Sequence, residues 1–391
     1  MRVLRVIDCL DPRVGGPAVA ALNSAISAAR TGARCDIAVV IRPGDTEALW
    51  WYEAVQRCHD EGISLSGFPV LAPRLSPRHY DPSSALVRWL LRRGRPRYDI
   101  VHSESPWTGA CALAAAVSAV GGTRLVITPH EVLTPFDLSH GGTGIRTAKR
   151  FGAQIYGRVA NLIVCSSPLE MRDTEAAGLP PEKLTWIYLP VIDDRAFVAP
   201  PQPPAQGPSG LRVGYLGRLH AKKNVSVLID AVGRLDGRVA LIIAGRGDAT
   251  LETNLRRQAE RLLPGRAEFI GWVSGDDKIR FLTGVDVLVM PSEYECFGVA
   301  AIEALAAGTP VIVSDRVGVG EIVRTEKAGQ VVSADVESIA SALRTYLDDP
   351  EARYADATRA RAAAVTNASF AAHGARLASE YARILTMRSP D

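Results

Sequence analysis

The sequence is poor in most of the features that mark specialised classes of protein. Aromatic residues make up only 6% of its 391 positions. The formal charges nearly cancel, with 45 Lys plus Arg against 42 Asp plus Glu for a net +3. A balance so near neutral excludes nucleic-acid binding through bulk charge. Cysteine is sparse, and its six positions (Cys9, Cys35, Cys58, Cys111, Cys165, Cys296) contain no C-x-x-C pair. They read as reduced, buried small residues of a cytoplasmic protein, with neither a disulfide frame nor a zinc site. No apolar run reaches the roughly 20 residues of a membrane span. The most apolar stretch, Gly109 to Gly122, is a short Ala-rich segment. The first eight residues, Met1 to Asp8, are too short and too charged for a signal peptide. There is no Asp-x-Asp, so no divalent metal is required. What remains is an ordinary globular composition, 47% hydrophobic and 22% charged, in a chain long enough for two or three domains.

The clearest seam is the Pro-rich run Pro200 to Gly210, which cannot continue a helix or a central strand. It divides the chain into a first domain, 1–199, and a second, 211–368, joined by the linker 200–210. Short apolar runs recur on both sides: Val3–Ile7, Asp36–Ile41, Asp99–His102, Leu125–Thr128, Leu162–Cys165 and Leu184–Tyr188 before it, and Arg212–Leu216, Val239–Ala244, Ala267–Ile270, Val285–Met290, Pro310–Ser314 and Gln330–Val332 after it. Runs this uniformly apolar suit strands covered on both faces. Helical patterns such as Pro17–Arg30, Val225–Arg234, Leu251–Leu263 and Val299–Ala307 lie between them. The alternation predicts two α/β domains, each with a parallel sheet, facing across a cleft lined by loops from the strand C-termini. The tail 369–391 reads as an Ala-rich helix that packs back on the first domain.

The strongest motif runs from Pro291 to Pro310 and holds Glu295 and Glu303 with seven residues between them. A helix should begin near Phe297-Gly298-Val299, because the run that follows is rich in good helix formers. Its unpaired N–H groups and dipole make a phosphate site. A carboxylate ahead of that site accepts sugar hydroxyls, and one on the helix accepts the hydroxyls of a ribose. A second basic motif, Gly214 to Asn224, holds Arg218 and Lys223 at a strand end, where a guanidinium fork and an ammonium can neutralise a diphosphate.

These segments resemble the E-x7-E and G-R-L-x-x-x-K segments of the retaining glycosyltransferases of family 4, which have the GT-B fold of two Rossmann-like domains. The resemblance implies a nucleoside diphosphate sugar as donor substrate, no cofactor, and catalytic roles for Glu295, Arg218, Lys223 and His130. His130 stands in Thr128-Pro-His-Glu131, which is similar to the family segment whose histidine reaches the donor sugar; Glu131 stands where many relatives have glycine. Donor-binding roles fall on Gly16 in the loop after the first strand, Gly245, Trp272, Val273, Phe297, Gly298, Val299 and Glu303. Trp272 and Val273 either flank the base or belong to the core. The chain also departs from the family at Leu189-Pro-Val-Ile-Asp193, where relatives commonly carry Asn-Gly-Val-Asp. His102 either lines the acceptor side or is a hydrogen-bonded structural histidine.

The reaction so implied moves a hexosyl group, with retention and without a metal, to a glycan or lipid-linked acceptor in polysaccharide or surface-glycan synthesis. Another GT-B enzyme, such as a nucleotide-sugar epimerase, and a non-catalytic sugar-nucleotide-binding partner are the alternatives. A dehydrogenase is disfavoured, because no strand is followed by a full G-x-G-x-x-G; in the partial fingerprint that starts at Gly245, Thr250 replaces the third glycine. Trp50-Trp51-Tyr52 and the basic run Arg88 to Arg97 either touch the inner face of a membrane or are core and solvated face.

Overall fold

The computed structural model describes residues 1–71, 83–93, 98–195 and 210–387. It resolves into two compact units, Met1–Val191 with the segment from Phe370 onward, and Ile192–Ser369. Most of the linker run, residues 200–209, lies outside the described residues.

The first unit is built on a seven-stranded, all-parallel sheet. Its strands are β1 (Arg2–Ile7), β2 (Arg34–Ile41), β3 (Ser64–Pro69), β4 (Ile100–Glu104), β5 (Arg124–Thr128), β6 (Leu162–Cys165) and β7 (Leu184–Trp186), in the order β3-β2-β1-β4-β5-β6-β7. The central strands β1 and β4 are buried almost throughout, as apolar runs covered on both faces must be. Strand β3 escaped the apolar-run reading. Its sequence, Ser64-Leu-Ser-Gly-Phe-Pro69, mixes polar and small residues and buries only Phe68, so it carries no continuous apolar signal.

Helices cover both faces. One layer holds Gly16–Arg30, Leu49–Asp60 and Phe370–Thr386; the other holds Ser84–Arg93, Gly109–Gly121 and Thr143–Val159. The Phe370–Thr386 helix packs closely along Gly16–Arg30. Gly374 permits this approach: a Cβ there would stand 2.5 Å from the Ser27 carbonyl oxygen. Leu377, Tyr381 and Ile384 from the same helix are buried in the core beneath.

The second unit is a six-stranded parallel sheet of β8 (Leu211–Leu216), β9 (Val239–Ala244), β10 (Ala267–Gly271), β11 (Val287–Met290), β12 (Val311–Ser314) and β13 (Gly329–Val332), in the order β10-β9-β8-β11-β12-β13. In both sheets the strand order reverses beside the first strand, between β1 and β4 and between β8 and β11. Loops leaving adjacent strands at such a point diverge to opposite faces and open a crevice at the strand C-termini.

Gly374→Val should force its helix away from the Ser27 carbonyl and lower unfolding free energy by about 2 kcal/mol, as overpacking does. The urea-denaturation midpoint checks this. An unchanged midpoint would mean that the two helices do not meet at Gly374.

Candidate functional site

The register Val287↔Val213 and Leu288↔Gly214 sets β11 against β8. The loops that follow them, carrying the two strongest motifs, are therefore neighbours although about 70 residues separate them in sequence. The Glu293 amide donates to the Lys222 carbonyl at 2.9 Å. Lys223 Nζ forms an ion pair with Glu295 Oε1, and Ser292 Oγ donates to the same oxygen at 3.2 Å. The Lys223 and Glu295 side chains are only 18% and 14% exposed. The Glu295 backbone is fixed by its amide to the Arg316 carbonyl (3.0 Å) and by the Gly318 amide to its own carbonyl (2.9 Å).

Glu295 stands ahead of the helix Val299–Ala306, whose N-cap is Gly298 at φ 104°. A Cβ at Gly298 would lie 2.7 Å from Val317 Cγ1, so both conformation and space require glycine. The Phe297 side chain is core, 1% exposed. Only its backbone is left for a ligand, and its carbonyl is already taken by the Val319 amide at 2.7 Å. Glu303 lies in the second turn and pairs with Lys278 Nζ at 2.6 Å, a cation the sequence reading did not single out.

Arg218 is exposed, and among the described residues its guanidinium has no partner; its carbonyl accepts from the buried Tyr215 hydroxyl at 3.0 Å. Partial burial, with the charges of Arg218, Lys222 and Lys223, pushes His220 below its ordinary value. The loop thus concentrates positive charge where an anion would be welcome.

Gly245 has a different reason to be glycine than ligand approach. A Cβ there would sit 1.9 Å from the Gly217 carbonyl oxygen, because the β8 and β9 loops cross backbone to backbone. The Gly245 amide donates to the Gly271 carbonyl at 2.7 Å, which ties in the β10 end where Trp272 is 62% exposed and Val273 half-buried. Trp272 is therefore not core.

In the first unit, His130 follows β5 and is buried, with its Nε2 2.9 Å from Glu104 Oε2. Glu104, at the end of β4, also pairs with Arg5 of β1. Arg5 reaches Ser24 at 2.7 Å and Tyr381 at 3.3 Å. Burial alone would raise the Glu104 carboxyl, but the surrounding imidazoles and the Arg5 guanidinium outweigh it and hold it below the usual carboxylate range. His130 and Glu131 take left-handed φ of 50° and 81°, an uncommon pair for residues with side chains. The fully buried Glu170 holds them: it accepts from the Glu131 amide at 2.5 Å and from the Ser166 amide and hydroxyl at 2.6 Å each. Glu104, Arg5 and Glu170 were missed because each sits in a run that reads only as strand or helix. Of the two readings of His102, the structure gives the hydrogen-bonded structural one. It is 1% exposed, with its ring nitrogens against Tyr381 (2.6 Å) and Thr128 (2.7 Å).

One expectation is corrected, and the open reading of the Trp50-Trp51-Tyr52 cluster is decided. Gly16 opens the helix Gly16–Arg30 instead of lying in the loop, and the left-handed glycine is Gly15, at φ 142°. A Pro in the first turn fixes the helix start there. Trp50 is 7% exposed and Trp51 packs on the same core, so this pair belongs to the interior; of the three neighbouring aromatics only Tyr52 is exposed. In the basic run, residues 94–97 lie outside the described residues. Among the described residues no helix is long and apolar enough to cross a membrane.

The sequence matches the family "Glycosyltransferase Family 4" over residues 14–195 and "Glycosyl transferases group 1" over residues 206–363. It is 36% identical to glycogen synthase of Mycobacterium tuberculosis over 206 residues, 51% of this chain and 49% of that one. The chain therefore spans about half the length of the first curated relatives it matches. It is 28% identical to phosphatidyl-myo-inositol mannosyltransferase of Mycolicibacterium smegmatis over 270 residues, 67% of this chain and 66% of that one. Among solved structures, Anabaena HepE in complex with UDP and glucose superposes with a TM-score of 0.75 at 19% identity, over 98% of this chain and 99% of that one. Sucrose-phosphate synthase from Thermosynechococcus elongatus gives 0.74 at 19% identity, again over 98% and 99%. These two likenesses speak for the fold. With two parallel-sheet α/β units, and with family matches that between them span most of its length, the chain belongs to the family 4 glycosyltransferases and has their GT-B fold.

Proposed function

We propose that the protein is a retaining hexosyltransferase that uses a nucleoside diphosphate sugar and delivers the hexose to a glycan or lipid-linked acceptor in polysaccharide or surface-glycan synthesis. The observation that carries this reading is the meeting of Lys223 and Glu295 ahead of the Val299–Ala306 helix. An ammonium, an exposed guanidinium at Arg218 and a helix N-terminus form a preorganised anion site in one unit. Its natural occupant is the diphosphate.

In the step itself the bond from the anomeric carbon to the phosphate oxygen breaks, and a bond to the acceptor oxygen forms on the same face of the sugar. The acceptor proton passes to the departing phosphate oxygen. The charge that grows on the diphosphate is met by Lys223, Arg218 and the amides of Gly298 and Val299, so the scheme routes no step through a metal. Glu295 accepts sugar hydroxyls, and its pairing with Lys223 keeps the ammonium in place before the donor arrives. Glu303, held by Lys278, accepts the ribose hydroxyls. The first unit is assigned to the acceptor, and His130, its ring held by Glu104, to a sugar hydroxyl.

The relatives support the donor class by their printed activities, which include a GDP-mannose-dependent mannosyltransferase of Mycobacterium tuberculosis, 35% identical over 161 residues. Purified protein should release nucleoside diphosphate from one member of a panel of UDP-, GDP- and ADP-hexoses, and the same donor should raise its melting temperature. Transfer to acceptor, with the α-linked donor giving an α-linked product, separates this reading from a hydrolysing epimerase and from a non-catalytic binder.

Glu295→Ala and Lys223→Ala should each lower kcat by about 100-fold or more, the loss expected when a preorganised charge contact is removed. Near-normal turnover in both would defeat the assignment. Glu303→Ala should instead weaken nucleotide binding about tenfold, as loss of a hydrogen-bonded carboxylate does. Calorimetric titration with the nucleoside diphosphate reads this, and unchanged affinity would remove Glu303 from the site.

A further inference from the structure

One face of the first unit's sheet carries the neighbouring helices Ser84–Arg93, Gly109–Gly121 and Thr143–Val159. They are 10, 13 and 17 residues long and contain no Asp or Glu at all. With 42 acidic residues in 391, chance would place about four there. The same helices contain seven cations: Arg88, Arg92, Arg93, Arg146, Lys149, Arg150 and Arg158. Lys149 is engaged by Asp137 at 2.8 Å. Arg88, Arg146, Arg150 and Arg158 are exposed and have no acidic partner among the described residues. Beside them the acids are Asp137, on the short helix Pro135–Leu138 and already taken by Lys149, and those of the following helix, Pro168–Ala176.

The charge is interleaved with exposed apolar side chains. Leu91 (64% exposed), Val120 (81%), Ile145 (57%), Phe151 (67%) and Ile155 (41%) all lie on these three helices. Between the second and third helices runs an open groove of about 300 Å³, lined by Trp107, Ala112, Ala116, Gly152, Ile155 and Val159. Along Thr143–Val159, Ile145, Gly152, Ile155 and Val159 fall within one arc of the helix, and Arg146 and Arg150 lie outside it. Cations beside an exposed apolar stripe, with no acid, are the pattern of a helix that lies in a membrane interface.

We infer that this face docks on a bilayer whose headgroups are anionic. The charge complementarity selects that occupant. A second copy of the chain related by a two-fold axis would bring the uncompensated arginines face to face. A polyanion without an apolar phase would leave Phe151, Ile155 and Val120 with nothing to bury against. An anionic interface takes both, with phosphates against the guanidinium groups and the apolar side chains at the headgroup boundary. The assignment does not depend on the transferase reading, and it moves the membrane contact away from Trp50 and Trp51.

Flotation of the full chain tests it, with vesicles of phosphatidylcholine alone and of phosphatidylcholine with 30% phosphatidylglycerol. The protein should float with the anionic vesicles and not with the neutral ones, and lose binding at high salt. Arg146→Glu with Arg150→Glu should weaken binding at least tenfold, since each basic residue near an anionic surface contributes about 1 kcal/mol. Phe151→Ser with Ile155→Ser should weaken it several-fold at constant charge. Both pairs are exposed, and circular dichroism and melting temperature should match the parent. Failure to float, equal binding to both vesicles, or binding unchanged in both double variants overturns the proposal. So does self-association in sedimentation that the Phe151/Ile155 variant abolishes, because the face would then be a dimer contact. Donor turnover in solution is measured separately, so loss of the transferase reading leaves this result standing.

Discussion

The contact between Lys223 and Glu295 is the interaction on which the functional geometry turns. Each group is mostly withdrawn from water, and each would be costly to leave there alone. Together they hold two loops at the end of the sheet before any ligand arrives. The pair exists because β8 and β11 are hydrogen-bonded neighbours, and because Glu293 and Lys222 are stitched through their backbones immediately behind it. Under the proposed reading, a charge placed this way needs little rearrangement when a diphosphate enters, and that is the condition under which fixed charges act most strongly on a reaction.

The same crowding explains the glycines. The β8 and β9 loops meet so closely at Gly217 and Gly245 that no side chain fits between them, and Gly298 turns the chain into its helix against Val317 and Val319. At these positions a side chain is excluded by neighbouring protein atoms, whatever the site holds. Their requirement is for backbone passing backbone, and the ligand inherits the resulting crevice.

The first unit solves a different problem, the stabilisation of buried charge. Arg5 and Glu104 come from the adjacent strands β1 and β4 and His130 from the loop after β5, while Ser24 and Tyr381 come from helices at opposite ends of the chain. Glu170 uses its carboxylate on three donors to hold the left-handed pair His130 and Glu131 in place. Such a conformation persists only where its surroundings over-determine it. The outer face of the same unit is the reverse case, with exposed cations and apolar side chains that the unit itself leaves unanswered.

Twelve of the thirteen described strands could be read from local apolar runs, the central ones because a parallel strand covered on both faces must be apolar along its length. The start of the helix after Glu295 was equally legible, since glycine followed by alanine-rich sequence is a local signal. Strand β3 was not, because Ser64-Leu-Ser-Gly-Phe-Pro69 mixes polar and small residues and holds no continuous apolar run. The tertiary structure alone decided that Glu303 answers to Lys278, that Glu104 and Arg5 stand behind His130, that His102 is internal and that Trp50 is core. Those facts depend on which strands lie side by side and which helix faces turn inward. Hydrophobic periodicity marks that an element is covered, but the identity of the neighbour that covers it comes from contacts between residues far apart in the chain.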